Sequence, residues 1–417
     1  QRPVMILQSI VLGSTVGLIM VVLNILVSTM TTIREHHPWL LVLLPGAACL
    51  SLLIWNSQKA GPIAVLERTF SIINHDGDTP PLNSIPASHR LVMIPLLLTL
   101  TAISHLCGAA AGKEGVGVQI GVLVATCLVP GNHLYKNSGC SHMNRQDAAS
   151  TSSEEISRMW LMSGMSAAFG GLFNAPLAGT LFGIHVARPF SFPSIWTTFI
   201  CFLSSLSASL LVKFFGNPVA WAPVLPTYRI TWEIAASLAF ISILMGALGR
   251  GLSVFSWLLS TLMNVTHGKY RQKLLISTVL LTCTLVIYML TGSFMYNGLG
   301  APLLIDAFTS VQPSALLKLV MVGLTVAAGF VGGEIIPTLI IGAVAGSAST
   351  ALLPGPILLL SVSGALGLLS ARTKLPLVCT FLGIELFGLH NGFFFLSVCL
   401  LACAVSGKKG MYESQAL

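Results

Sequence analysis

The stretch Gly112-Lys113-Glu114-Gly115-Val116-Gly117-Val118-Gln119-Ile120-Gly121 sets a carboxylate between glycines inside an apolar sequence. Residues 91–111 before it are almost free of charge, and residues 118–129 after it are apolar again. An isolated ionised carboxylate is expensive in lipid, so Glu114 needs a task or a partner. A helix beginning near Gly115 would aim free N–H groups and the positive end of its dipole at this point. Gly112, Gly115, Val116 and Gly117 would then line an anion site with a titratable group in its mouth, glycine letting the backbone approach a small ligand. The plainer alternative is a Glu that caps the helix by pairing with Lys113.

Working outward, 54% of the 417 residues are hydrophobic and 8% are charged, with a mean hydropathy of +0.86. Such a chain is an integral membrane protein, almost all of it membrane domain. Residues 4–29, 40–55, 91–107, 195–214 and 273–290 are long enough to span a bilayer. So many spans are satisfied only by helices, which predicts an all-α polytopic protein. The net charge of +8 lies in connecting segments such as 267–273, where it suits the cytoplasm and lipid headgroups rather than nucleic acid. The nine cysteines are mostly single and show no metal-ligand spacing, so neither a disulfide framework nor a metal or other cofactor is expected. The first apolar segment is too long for a signal peptide and reads as a first helix.

Residues 217–231 divide the chain into halves of about 1–215 and 232–417, and no soluble regulatory domain is expected. Within them, 56–81 reads as polar and broken, 130–155 as a surface loop with Ser150 to Ser153 at a helix N-cap, 234–248 and 252–265 as separate spans, and 296–306 as a turn-rich connection. Each half carries a Gly-Gly break followed by a proline: Gly170-Gly171 before Asn174 and Pro176, and Gly332-Gly333 before Pro337. Paired broken helices point to a midplane site in a transporter built from repeats. The alternative is that Gly and Pro are simply frequent in membrane helices.

Thirteen acidic residues sharpen this. Ten fall in loops, tails or helix ends on this reading, whereas Glu114, Glu334 and Glu385 sit in apolar sequence that contains glycine. Intramembrane carboxylates mark proton or ion routes, and a buried one can load and release protons. Glu114 and Glu334 both adjoin helix-breaking glycines. Facing one cavity, they could carry a proton and contact an anion in alternate states. Glu385 lacks that setting and is expected to bond a neighbouring helix terminus. Tyr412 could donate a hydrogen bond to an anion, or anchor the chain at the interface.

These residues resemble the CLC family of chloride channels and anion/proton antiporters. Gly112-Lys113-Glu114-Gly115 is similar to its gating-glutamate motif, Asn174 to Gly179 to its N-A-P-L-A-G segment, and Gly332 to Pro337 to the motif that opens a helix at the anion site. The resemblance covers essentially the whole chain. It implies a homodimer with one pathway per subunit, two inverted-topology repeats with broken, re-entrant helices, and both termini cytoplasmic. It places Ala60, Gly61, Ile335, Ile336 and Tyr412 at the anion.

The departures resemble the fluoride/proton antiporter branch. Ala60 stands where chloride transporters have a serine, Val116 replaces proline, and Glu334 gives the branch its G-G-E. His185-Val186 replaces a glutamate pair; His185 could accept protons, although a lone histidine more often makes a satisfied core hydrogen bond. Ile336 stands where the branch often has threonine. The expected activity is fluoride export coupled to protons, Glu114 being the moving gate and Glu334 the second proton-exchanging group. Fluoride is small and strongly hydrated, which suits amides and protonated carboxyls. The alternative is a chloride/proton antiporter or passive anion channel of the same fold. An intramembrane enzyme is not expected, since no H-E-x-x-H or G-x-S-x-G motif occurs. A multi-pass place in a cell membrane, the bacterial inner membrane, completes the expectation.

Overall fold

The computed structural model describes residues 2–57, 63–74, 86–128, 147–189, 192–216, 222–264, 269–312, 315–408 and 410–411. Among these the chain is helical, with no strand. The first half holds α1 (Arg2–His36), α2 (Leu44–Ser57), α3 (Ile63–Asn74), α4 (Ala87–Leu106), α5 (Glu114–Leu128), α6 (Asp147–Phe173), α7 (Pro176–His185) and α8 (Ile195–Phe215). The second holds α9 (Trp232–Asn264), α10 (Lys269–Thr291), α11 (Ala301–Thr309), α12 (Ala315–Ala328), α13 (Ile335–Ser349), α14 (Ile357–Thr373), α15 (Pro376–Phe387) and α16 (Gly392–Val405).

Five of these, α1, α4, α8, α9 and α10, contain stretches long and apolar enough to cross a bilayer. Others are apolar but too short, and they are buried instead. Almost every residue of α5 and α13, and α14 from Leu359 to Thr373, is buried. A helix that is apolar all round belongs in the interior of the bundle, with other helices between it and lipid. Close approach between these helices comes from facing glycines. A Cβ at Gly121 of α5 would collide with the Gly164 carbonyl of α6, and a Cβ at Gly342 of α13 with the Gly364 carbonyl of α14. Lipid tails are as apolar as leucine, so such contact packing, rather than hydrophobic transfer, holds membrane helices together.

Several expectations are corrected. The spans expected at 234–248 and 252–265 are joined in one helix, α9, as far as its end at Asn264, since Gly249 and Gly251 lie within it without breaking it. Residues 296–306 are not all turn, because Ala301 opens α11 with Pro302 in its first turn. Within 56–81 lies α3, which buries Val65, Thr69, Phe70 and Ile73 along one side. Ser150 to Ser153 lie inside α6, which already begins at Asp147, so 147–155 is helix rather than loop. Gly170-Gly171 does not break α6. A Cβ at Gly170 would meet the Ser205 side chain, so the pair lets α8 approach closely, and the chain breaks instead at Asn174 (φ 49).

Candidate functional site

Two loops build the site. Gly108 follows the end of α4 and Gly329 the end of α12, both with φ +81. Each closes its helix in the same way: Gly108 N–H donates to His105 O (3.2 Å) and Ala109 N–H to Ser104 O (2.9 Å), while Gly329 N–H donates to Val326 O (2.9 Å) and Phe330 N–H to Thr325 O (3.4 Å). A side chain in this left-handed conformation is strained, which is why glycine ends both helices. The loops then meet. Gly112 N–H donates to Gly333 O (2.7 Å) and Gly333 N–H to Gly112 O (2.6 Å), an antiparallel bridge joining the halves. Thr325 Oγ1 accepts from Ala110 N–H (3.0 Å), and Asn297 Nδ2 donates to Gly108 O (3.1 Å), so the first loop is fixed from the second half. The crossing admits no Cβ. One at Gly333 would collide with Gly115 N, one at Gly332 with Ala111 Cβ, and one at Gly112 with the Glu114 carboxylate.

The pairing of elements between halves therefore differs from the sequence expectation. Gly332-Gly333 matches the loop before α5, not Gly170-Gly171. The spacing Gly108, Gly112, Glu114 recurs as Gly329, Gly333, Ile335, so Glu334 corresponds to Lys113 and lies one residue out of step with Glu114.

Glu114 is the first residue of α5 and is 1% exposed. The amides of Lys113, Glu114 and Ile336 face its carboxylate, yet neither oxygen completes a hydrogen bond. No ion pair within 4.0 Å joins it to Lys113, so the side chain stands at the helix opening without the direct Lys113 contact of the capping alternative. Glu114, Lys113 and Ile336 line a cavity of about 1060 Å³, bounded also by Asn24, Thr31, Arg34 and Glu35 of α1 and by Asn297. Asn24 Oδ1 and Thr31 Oγ1 are buried there without partners. The helix N-terminus, open amides and an unpaired acid thus share one wall.

Glu334 is held differently. It is the N-cap residue of α13, and its Oε2 lies 2.6 Å from Arg372 Nη2 at the end of α14. Arg372 is 2% exposed, and its carbonyl accepts from Met411 N–H (2.7 Å). Glu334 is not part of the cavity wall that holds Glu114, so the two acids do not share it.

Gly115, Val116 and Gly117 form the first turn of α5, where Gly117 N–H donates to Lys113 O (2.9 Å). Ile335 and Ile336 open α13 and are buried, and Pro337 follows where a helix needs no N–H of its own. Pro176 opens α7 just after Asn174. Glu385 accepts from Leu177 N–H (2.9 Å) and Ala178 N–H (2.8 Å), bonding the α7 terminus as the sequence reading expects. His185 departs from expectation: it is buried, stands edge-on to Phe192, and has no hydrogen bond at either nitrogen. Ala60, Gly61 and Tyr412 lie outside the described residues.

The sequence reading weighed acids and passed over cations. Arg34, Lys318, Arg372 and Lys374 are all buried. Lys318 Nζ donates to the carbonyls of Tyr296 (3.0 Å) and Gly298 (2.7 Å), and Arg34 Nη1 to that of His105 (3.1 Å), tying down the segments beside the cavity. The signal was available, since any ionisable residue inside a span is a candidate.

Comparison with known proteins agrees with this architecture. A crystal structure of a CLC-type fluoride/proton antiporter superposes with a TM-score of 0.83 at 25% identity, over 99% of this chain and 98% of that one. The crystal structure of a slow cyanobacterial Cl−/H+ antiporter superposes with a TM-score of 0.75 at 18% identity, over 98% and 96%. In sequence the chain is 28% identical to the chloride/fluoride channel protein of Pseudomonas syringae pv. tomato over 403 residues, 92% of this chain and 79% of that one. The family model described as voltage gated chloride channel matches residues 80–407. The chain belongs to the CLC family, the voltage gated chloride channels, and is a membrane protein for anion transport.

Proposed function

We propose that the chain exports fluoride in exchange for protons, with Glu114 as the gate. The observation that carries this is a buried carboxylate without a partner, at a helix N-terminus, in the wall of a wide cavity. When ionised, Glu114 repels an anion from the α5 amides. When protonated, its hydroxyl can donate to the anion, and the side chain can leave the site toward the cavity. Alternation between these states ties one ion's movement to the other's. The process moves ions and makes no covalent bond, so the protein is a transporter rather than an enzyme. Glu334 takes the second role. Its Arg372 partner supplies positive charge beside the α13 N-terminus, from which an anion can displace the carboxylate.

Fluoride as the substrate is supported by Glu334 in G-G-E and by the two relatives whose names include fluoride. A homodimer in the bacterial inner membrane and an inverted relation between the halves belong to the same proposal; the matched loops before α5 and α13 support the latter. The second reading, a chloride/proton antiporter or passive channel, draws on the chloride named for the cyanobacterial neighbour. Proteoliposomes loaded with fluoride or chloride, with pH recorded alongside, separate them. Fluoride efflux that drives proton uptake while chloride stays nearly static is the expected result. Comparable chloride flux would hand the reading to the second, and fluoride movement indifferent to a proton gradient would end the antiporter.

A further inference from the structure

α9 packs on α14 and α16 with one face and leaves the other bare. A Cβ at Gly246 would meet Val405 at the end of α16, and one at Gly249 would meet Ala371 near the end of α14. On the opposite face Phe240, Ile243, Ala247 and Arg250 recur at helical spacing and are exposed. Trp232, 79% exposed, opens the helix and suits one membrane interface. Arg250 stands 18 residues further on, about 27 Å of helix against a hydrocarbon layer of about 30 Å. Its flexible stem covers the remainder, which brings the guanidinium to the headgroups of the leaflet opposite Trp232.

A bend of the chain meets Arg250 there. α16 ends at Val405, and Ser406 (φ −72, ψ −6) is followed by Gly407 (φ 74). A right-handed residue before a left-handed one turns successive N–H groups toward one point, the form of an anion-binding nest. Ser406 N–H donates to Ala402 O (3.1 Å), but among the described residues the N–H groups of Gly407 and Lys408 have no acceptor. Arg250 Nη1 lies beside them, 4.0 Å from where a Gly407 Cβ would stand. Lys408 is exposed, and Lys374 is buried behind the bend with its Nζ donating to Ser406 Oγ. Neither Arg250 nor Lys408 has an ion pair or hydrogen bond among the described residues. The C-terminal end of α16 contributes about half a negative charge, which the three cations outweigh.

We propose that Arg250, Lys408 and the free amides of residues 407 and 408 hold the phosphate of an anionic glycerophospholipid. The arginine fork matches two phosphate oxygens, and the amides and the lysine take the rest. The depth sets the source, since a cation on a lipid-facing stripe meets headgroups before it meets free ions. The charge sets the class: a zwitterionic lipid brings its own ammonium against the three cations, whereas an anionic one does not. Its acyl chains run along the apolar stripe past Ala247, Ile243 and Phe240. This site lies on the outside of the bundle, apart from the Gly112–Gly333 crossing, and does not rest on the transport reading.

The test is native mass spectrometry of the purified full-length protein in detergent, titrated with phosphatidylglycerol or phosphatidylcholine, with retained lipids counted per subunit. Wild type should retain one more phosphatidylglycerol per subunit than Arg250→Gln/Lys408→Gln, in which the affinity of that site should fall about thirtyfold. Phosphatidylcholine counts should not differ. Both replaced side chains are exposed and bond nothing, so the variant keeps its packing. Arg229→Gln, an exposed cation just before α9 at its other end, should match wild type. Equal phosphatidylglycerol counts in wild type and the double variant overturn the proposal, as does an equal loss in Arg229→Gln or a phosphatidylcholine difference as large. Displacement of the lipid by millimolar inorganic phosphate would mark a site for a free anion and overturn it too. The count needs no gradient, so a failure of proton coupling does not change what it shows.

Discussion

Glu114 and Glu334 stand on two sides of one backbone crossing, and the chain treats them oppositely. Glu114 is the first helical residue of α5, buried without a hydrogen bond beside a wide cavity. Glu334 is the N-cap of α13, gripped by Arg372 at 2.6 Å and absent from that cavity wall. A step of one residue between matching loops turns one side chain toward open space and the other toward a cation. The lesson is that two acids next to similar glycines can differ in freedom more than in chemistry. The unpaired one has little to lose by moving, whereas the paired one leaves a buried guanidinium behind.

The sharpest way to break the contrast is Glu114→Gln in proteoliposomes. Proton uptake accompanying fluoride efflux should fall roughly a hundredfold, the lower end for loss of a positioned proton carrier, while fluoride still moves. Coupling that survives Glu114→Gln yet disappears in Glu334→Gln would reverse the assignment.

Stability should show the opposite ranking. Arg372 is buried and Glu334 partly so, and leaving one charge of such a pair without its partner costs about 2 kcal/mol, so Arg372→Met and Glu334→Gln should each lower the unfolding free energy in detergent by about that much. Glu114→Gln should change it by less than about 1 kcal/mol, since no hydrogen bond is lost. The double variant Arg372→Met/Glu334→Gln should recover part of the single losses. Additive losses would show that the two side chains do not interact.

The glycines sharpen the comparison further. A Cβ at Gly333 meets the Gly115 backbone, so Gly333→Ala should cost about 2 kcal/mol. At Gly112 the first atom met is a Glu114 oxygen at the end of a flexible side chain. Gly112→Ala should therefore cost less stability and disturb anion flux more, as thermal unfolding and efflux on the same preparations would show. Glu385→Gln should leave transport untouched and act on stability alone. One amide keeps an acceptor and the charge is lost, so stability should drop by about 1 kcal/mol with coupling intact.

The long spans and the start of α5 were readable because apolar length and a lone acid are local signals. Residues 91–107 and 195–214 fall within a few residues of α4 and α8. The pairing of the halves was not readable from matching Gly-Gly strings. Gly170-Gly171 is bare because α8 lies against it, whereas Gly332-Gly333 is bare because another loop crosses it. A missing side chain looks the same in sequence for either reason. Arg372 escaped notice because its link to Glu334 runs through space from another helix. The Glu385 contact to α7 was legible in kind, since a buried carboxylate needs donors and a helix start has them to spare. Which helix start it reached depended on how α7 and α15 pack.

The crossing at Gly112 and Gly333 also constrains how the molecule is made. α5 and α13 have 15 residues each, about 22 Å of helix against a hydrocarbon layer of about 30 Å. Neither can be handed to the bilayer by itself as α1 can, because bare amides would trail into lipid. Gly112 leaves the ribosome long before Gly333 exists, so a newborn first half carries an N–H and a carbonyl that wait for a strand not yet translated. A newborn first half thus shows this backbone to cellular quality control until the second loop has been made.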